Sequence, residues 1–175
     1  MSEKIRVMLS EDELDARIRE LGAQISKDFQ GREIFLVCIL KGASFFACEL
    51  AKRITVPVTM DFMSTSSYGA GTVSSGNVVI KKGLDLDPSG QNVLIVEDII
   101  DSGNTFQFLL NWFRDKGAAN VHTCCLLDKP DRREVPVEVD YTGFSIPDEF
   151  VVGYGLDYDQ KYRNLPYIGV VELNG

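Results

Sequence analysis

VLIVEDIIDSGNTF, residues 93–106, runs four aliphatic residues straight into a stretch that holds Glu97, Asp98 and Asp101. Carboxylates are rarely buried unless they are paired or coordinate something. These three are followed at once by Ser102, Gly103, Asn104 and Thr105. In an open α/β sheet, ligands bind beyond the carboxyl ends of the strands. A strand over Val93–Glu97 that ends in acids and passes through small residues into a helix has that geometry. The backbone N–H groups of residues 101–105 sit at the helix start, where they and the helix dipole favour a phosphate. Gly103 permits close backbone approach, and Ser102 and Thr105 add hydroxyl donors. A phosphate does not want three carboxylates beside it. The acids therefore face other parts of a ligand: sugar hydroxyls, a Mg²⁺ ion or a reacting proton. The plainer alternative is that Glu97 and Asp98 cap the strand and Asp101 caps the following helix.

Outward from this stretch, the chain alternates strands and helices. Ser10–Phe29 predicts an amphipathic helix: Ser10 with Glu13 makes a capping box, Leu14, Ile18, Leu21 and Ile25 recur at helical spacing, and Gly31 closes it. Ile34–Leu40 predicts a buried strand and Phe45–Ile54 a second helix. Val56–Met63 and Val78–Lys81 read as strands on either side of a Ser-, Thr- and Gly-rich stretch, Ser64–Asn77. LDLDPSGQ, residues 84–91, is a turn-rich connection. Asn104–Lys116 predicts a helix ended by Gly117, and Val121–Leu127 a further strand. Short strands are expected over Asp140–Phe144, Val151–Tyr154 and Ile168–Val171. This order predicts an α/β fold with a central, mostly parallel sheet flanked by helices. No repeat, low-complexity tract or linker divides the chain, so one domain over residues 1–175 is expected.

Bulk properties exclude several classes. The 175 residues are 45% hydrophobic and 25% charged, with a net charge of −8. An acidic total argues against broad nucleic-acid binding, which rests on neutralising phosphates with Lys and Arg. The longest apolar run, Ile34–Leu40, has seven residues, against the roughly 20 that a membrane helix needs. MSEKIRVMLSEDE at the start lacks the apolar core of a secretion signal, so a cytoplasmic protein without membrane contact is expected. Cys38, Cys48, Cys124 and Cys125 form no CxxC pair, and His122 lies beside Cys124 and Cys125 without zinc-finger spacing. The thiols are expected to pack as small hydrophobes and His122 to be structural, so a mechanism cannot count on histidine as its base.

The 93–106 stretch closely resembles the phosphoribosyl-pyrophosphate (PRPP) signature of the type I phosphoribosyltransferases, and within them the hypoxanthine-guanine branch. The likeness runs from about Val7 to Val171. LKGAS at 40–44 looks like that family's pyrophosphate loop and SSYG at 66–69 like the start of a mobile hood. LLDKP at 126–130 and FVVGYGLDYDQKYRN at 150–164 look like its purine-binding elements. The resemblance implies a small hood, a flexible lid loop and a homodimer or homotetramer. It implies Mg²⁺-dependent transfer of phosphoribosyl from PRPP to hypoxanthine or guanine, giving IMP or GMP and pyrophosphate.

The same resemblance assigns roles. Glu97 and Asp98 bind the ribose hydroxyls, directly or through Mg²⁺, which carboxylate oxygens suit. Asp101 is the general base facing the purine N7. The backbone of Asp101, Ser102, Gly103, Asn104 and Thr105 holds the 5′-phosphate. Lys41 and Gly42 face the pyrophosphate, in a loop where an unusual cis peptide bond is a family trait. Ser67 and Tyr68 belong to the lid, which keeps water from a reactive sugar. Lys129 donates to the purine 6-oxo group, Phe150 stacks on the base, and Val151 meets its edge through the backbone. Asp157, also on the purine side, helps to hold a second Mg²⁺, and Arg163 meets the pyrophosphate. Lys41 and Arg163 let a negative chain bind a polyanion by focusing cations on one cleft.

Each residue alone also has a plainer reading. Lys41 could be a surface lysine, 64–77 a floppy hairpin, Phe150 a core residue, and Asp157 with Arg163 a surface ion pair. A PRPP-sensing regulator and a xanthine- or guanine-preferring relative are the rival functions. Residues 131–138, DRREVPVE, carry no assignment.

Overall fold

The computed structural model describes residues 3–67 and 77–173. Among these, the chain runs β1 (Lys4–Leu9), α1 (Glu11–Asp28), β2 (Ile34–Leu40), α2 (Ser44–Ala51), β3 (Val58–Ser67), β4 (Val78–Lys82), β5 (Asn92–Ile100), α3 (Asn104–Asp115) and β6 (Asn120–Asp128). A 3₁₀ turn (Pro130–Arg132), β7 (Tyr141–Ser145), β8 (Val151–Val152) and β9 (Ile168–Glu172) complete it. A six-stranded sheet has the order β4-β3-β2-β5-β6-β7, and a three-stranded sheet the order β1-β9-β8. In the larger sheet only β4 runs antiparallel to its neighbour. The mostly parallel sheet flanked by helices agrees with expectation.

The apolar runs are continuous because the strands are covered on both faces. Leu36, Cys38, Leu94, Val96, Cys124 and Leu126 face α1 and α2, meeting Leu14, Ile18, Leu21, Phe46 and Leu50. The alternate residues Phe35, Val37, Ile39, Val93, Ile95 and Cys125 meet Phe106, Leu109 and Phe113 of α3. The period of two along each strand thus sorts the chain into two cores. Helix α1 starts as its sequence requires: Ser10 Oγ accepts from Glu13 N at 3.1 Å. The smaller sheet joins the first core through Ile168, Val170 and Val151.

Two expectations are corrected and one strand is added. The added strand is Lys4–Leu9, which pairs antiparallel with β9, Lys4 opposite Glu172 and Ile5 opposite Val171. Ser64–Ser67 continue β3, paired with β4 through Thr65–Ile80, Ser66–Val79 and Ser67–Val78. Tyr68 and the rest of the expected lid, 68–76, lie outside the described residues. Finally, β5 does not stop at Glu97. Ile99 and Ile100 pair with Leu127 and Asp128, so Glu97 and Asp98 lie inside the strand.

This last correction positions the site. Pairing between β2 and β5 ends at Cys38–Val96, whereas pairing between β5 and β6 goes on to Ile100–Asp128. The chain leaves β2 through α2 toward β3 on one side and places β5 on the other, so the sheet order reverses here. The sheet parts between the carboxyl ends of β2 and β5, where a switch-point crevice is expected.

Candidate active site

The parting of β2 from β5 opens a cavity of about 340 Å³, lined by Ile39 and Leu40, by Thr65, Ser66 and Ser67, and by Glu97–Gly103, Thr105 and Phe106. Buried polar side chains single out the same region. Among the described residues these are Asp61, Glu97, Thr123 and Lys129. Asp61 is satisfied by the backbone N–H groups of Phe62, Asp85 and Leu86, at 2.8, 2.9 and 2.9 Å. Thr123 exchanges bonds with the 138–140 segment. The remaining two are Glu97, in the carboxyl-terminal half of β5, and Lys129, just after β6, and no fold requirement explains them.

Burial pushes the Glu97 carboxyl well above the usual glutamate range, and the neighbouring Asp98 charge adds to the rise. Burial raises Asp98 as well, offset in part by the Ile99 N–H, which donates to Asp98 Oδ1 at 2.6 Å. The pair is poised to gain from a cation or from hydroxyl donors. Because the native pair holds a proton that the unfolded chain releases near 4.5, its contribution is fully present below that pH and is lost as pH rises. In metal-free buffer the melting temperature should therefore fall as pH rises from about 4.5 to neutrality. Glu97→Gln should flatten that slope and raise the melting temperature at neutral pH by about 2–6 °C. A slope unchanged in Glu97→Gln would show that the pair does not carry the effect.

The strand-to-helix loop has the expected form. Gly103 precedes α3 with φ 89°, a left-handed conformation. Ser102 Oγ accepts from Asn104 N at 3.2 Å. Asp101 is exposed at the loop's start, and Ser102, Gly103 and Thr105 line the cavity with it. The Asn104 side chain does not line the cavity; it donates to Glu134 Oε2 at 3.1 Å.

The other expected residues form a ring around this centre. The Leu40–Lys41 peptide bond is cis, in the loop where the resemblance implies one. Lys41 is exposed. Gly42 touches Asp98: a Cβ at position 42 would lie 1.8 Å from Asp98 Oδ2. Gly155 packs on the same loop, since its Cβ would lie 2.2 Å from the Gly42 carbonyl oxygen. Arg163 Nη1 donates to the Gly155 carbonyl at 2.7 Å, and its Nη2 lies 3.4 Å from Asp157 Oδ1. Asp157 and Arg163 are thus a half-buried pair joined to the Lys41–Gly42 loop. Lys129 donates its backbone N–H to the Ile100 carbonyl at 3.0 Å, and its Nζ lies 4.0 Å from Asp148. Phe150 is 52% exposed, with its ring edge-to-face to Tyr158 at 5.5 Å, so it is not a core residue. Val151 is buried, and as part of β8 it is paired with Val170.

Glu97, Asp98 and Asp157 do not converge on one three-carboxylate cluster among the described residues. The adjacent Glu97 and Asp98 still suit Mg²⁺, which takes one or two carboxylates and completes its shell with water and substrate phosphate. Away from the site, His122 packs against Phe29 at 5.0 Å and Asp140 at 3.6 Å. The cysteines are free, and burial pushes the Cys38 and Cys125 thiols up to about 12. No helix among the described residues is long and apolar enough to cross a membrane.

Sequence reasoning missed Thr65 and Ser66 as lining residues, because a strand end was read as part of a loop. It also missed Asp128, Arg133 and Glu134, whose partners become visible only in three dimensions.

The phosphoribosyl transferase domain family matches residues 10–159. The hypoxanthine phosphoribosyltransferase of Buchnera aphidicola subsp. Schizaphis graminum is 50% identical over 173 residues, 98% of either chain. The bifunctional protein TilS/HprT of Listeria innocua is 52% identical over 95% of this chain, which spans 26% of that protein's length. The crystal structure of a hypoxanthine-guanine phosphoribosyltransferase from Bacillus anthracis superposes with a TM-score of 0.93 at 46% identity, covering 97% of this chain and all of that one. The chain belongs to the phosphoribosyl transferase family, in the branch that holds these hypoxanthine and hypoxanthine-guanine enzymes.

Proposed function

We propose that the protein transfers the 5-phosphoribosyl group of PRPP to hypoxanthine, and to guanine, releasing pyrophosphate. The observation that carries this reading is the cavity itself. Two acids at its wall and a helix N-terminus at its end fit a ribose and a phosphate in one ligand, and few other ligands ask for both. The bond from ribose C1 to the pyrophosphate oxygen breaks, and a bond from C1 to a purine ring nitrogen forms. The sugar passes through an oxocarbenium-like state, as in other glycosyl transfers.

In this reading the N–H groups of residues 102–105 and the hydroxyls of Ser102 and Thr105 hold the 5′-phosphate. Glu97 and Asp98 accept from the ribose 2′ and 3′ hydroxyls. Asp101 takes the proton released from the purine N7. Lys41, Gly42 and Arg163 receive the pyrophosphate. Lys129 donates to the purine 6-oxo oxygen, Phe150 covers the ring face, and Val151 meets its edge. Ser67, with Tyr68, closes the sugar off from water. Glu97 and Asp98 would hold one Mg²⁺ and Asp157 would help to hold a second; bound there, the metal would screen the charge of the pyrophosphate.

A panel of hypoxanthine, guanine, xanthine and adenine with PRPP and Mg²⁺ tests the reading. Pyrophosphate release is expected with the first two bases and not with adenine, whose 6-amino group cannot accept from Lys129. Release with none of the four would overturn the proposal.

A further inference from the structure

Apart from Lys129, residues 128–135 carry no role assigned above, yet they back the phosphate loop. Arg133 Nε donates to the Asp101 carbonyl at 3.3 Å. The Ser102 carbonyl accepts from Glu134 N at 2.9 Å and from Val135 N at 3.1 Å. A trans peptide points its carbonyl and its N–H in opposite directions. With both carbonyls held on the 133–135 side, the N–H groups of Ser102 and Gly103 turn the other way, toward the cavity these residues line. Neither N–H donates to another described residue. Gly103 is in contact with the brace: a Cβ there would lie 3.0 Å from the Val135 carbonyl oxygen and 3.2 Å from Arg133 Cδ. Arg133 is itself held, through Nη2, by the carboxylate of Asp128 at the end of β6. That pair is well covered, its side chains being 21% and 22% exposed.

We propose that Arg133 is a positioning residue for the transfer reaction. Its guanidinium ties the Asp101–Ser102 peptide to Asp128, which aims the Ser102 N–H at the 5′-phosphate and fixes the backbone that carries Asp101. This rests on the PRPP reading above. A guanidinium can bridge two acceptors in fixed directions, whereas a lysine ammonium is a flexible point charge. The role therefore belongs to the fork and not to the charge.

Wild type, Arg133→Lys, Arg133→Ala and Asp128→Asn are compared by steady-state kinetics and by calorimetric titration with IMP. Arg133→Lys and Asp128→Asn should raise the KM for PRPP and the Kd for IMP by about tenfold or more, the loss of one charge-assisted bond. The KM for hypoxanthine should stay unchanged. These two variants keep the test open if Arg133→Ala does not fold. Wild-type behaviour in Arg133→Lys would overturn the proposal, because charge alone would then suffice. Equal rises in both KM values together with a lowered melting temperature would also overturn it, as general loosening. If wild type itself neither turned over PRPP nor bound IMP, the PRPP reading would fall and this proposal with it. Active wild type with indifferent variants removes only the positioning role.

Discussion

Asp101→Asn is expected to lower kcat for nucleotide formation by about 10²–10⁴-fold, the usual contribution of a positioned general base. Melting temperature and affinity for IMP should stay close to wild type. Asp101 is exposed, and its side chain makes no hydrogen bond to another described residue; only its carbonyl is engaged, by Arg133. An isosteric amide therefore leaves loop and fold intact while removing the atom that would accept the purine proton. The kinetic split is what matters. A fall in kcat at constant IMP affinity points to proton transfer, whereas a parallel loss of affinity would place Asp101 in binding. Undiminished turnover would remove it as the base.

Gly42→Ala is expected to damage both the fold and the site. The added methyl would lie 1.8 Å from Asp98 Oδ2 and 2.8 Å from its carboxyl carbon. Asp98 is not free to swing aside, since its Oδ1 accepts from Ile99 N at 2.6 Å. The Gly42 loop has no room to retreat either, because Gly155 is packed on the Gly42 carbonyl. Overpacking of this kind costs about 1–3 kcal/mol of stability. The displaced carboxylate should lower kcat/KM for PRPP by about 10²-fold, as a misplacement near 1 Å does elsewhere. Gly83→Ala is the matched control: nothing lies within 4 Å of a Cβ at that position. Melting curves and kinetics on the two variants decide the matter. Wild-type values for Gly42→Ala would mean that the β2 loop and Asp98 are not in contact in solution.

Much of the architecture is legible because local patterns and tertiary placement agree. Residues 34–40, 93–97 and 121–127 are apolar at every or nearly every position, as strands covered on both faces must be. Ser10 and Glu13 announce the start of α1, and the structure uses them that way. The density of acids, small residues and hydroxyls at 97–105 likewise marks a site, because no packing requirement gathers those types in one place.

What stays hidden depends on partners far away in sequence. The alternation of Lys4, Ile5, Arg6 and Val7 is too short to stand alone; β1 is a strand because β9, near the other end of the chain, supplies Glu172 and a hydrogen-bonding edge. The length of β5 is set by Leu127 and Asp128, not by anything between Glu97 and Ile100. Two acids inside a strand look like its end until the neighbouring strand is seen to continue. Residues 131–138 read as a polar loop, since the meaning of Arg133 lies in Asp128 and in two carbonyls that no sequence pattern displays.

The most direct test of the account is a crystal structure of the protein with IMP bound. The account predicts the 5′-phosphate within hydrogen-bond reach of the N–H groups of residues 102–105, the ribose hydroxyls on Glu97 and Asp98, and the purine between Phe150 and Lys129. A nucleotide bound elsewhere, or Glu97 and Asp98 turned away from its sugar, would contradict it.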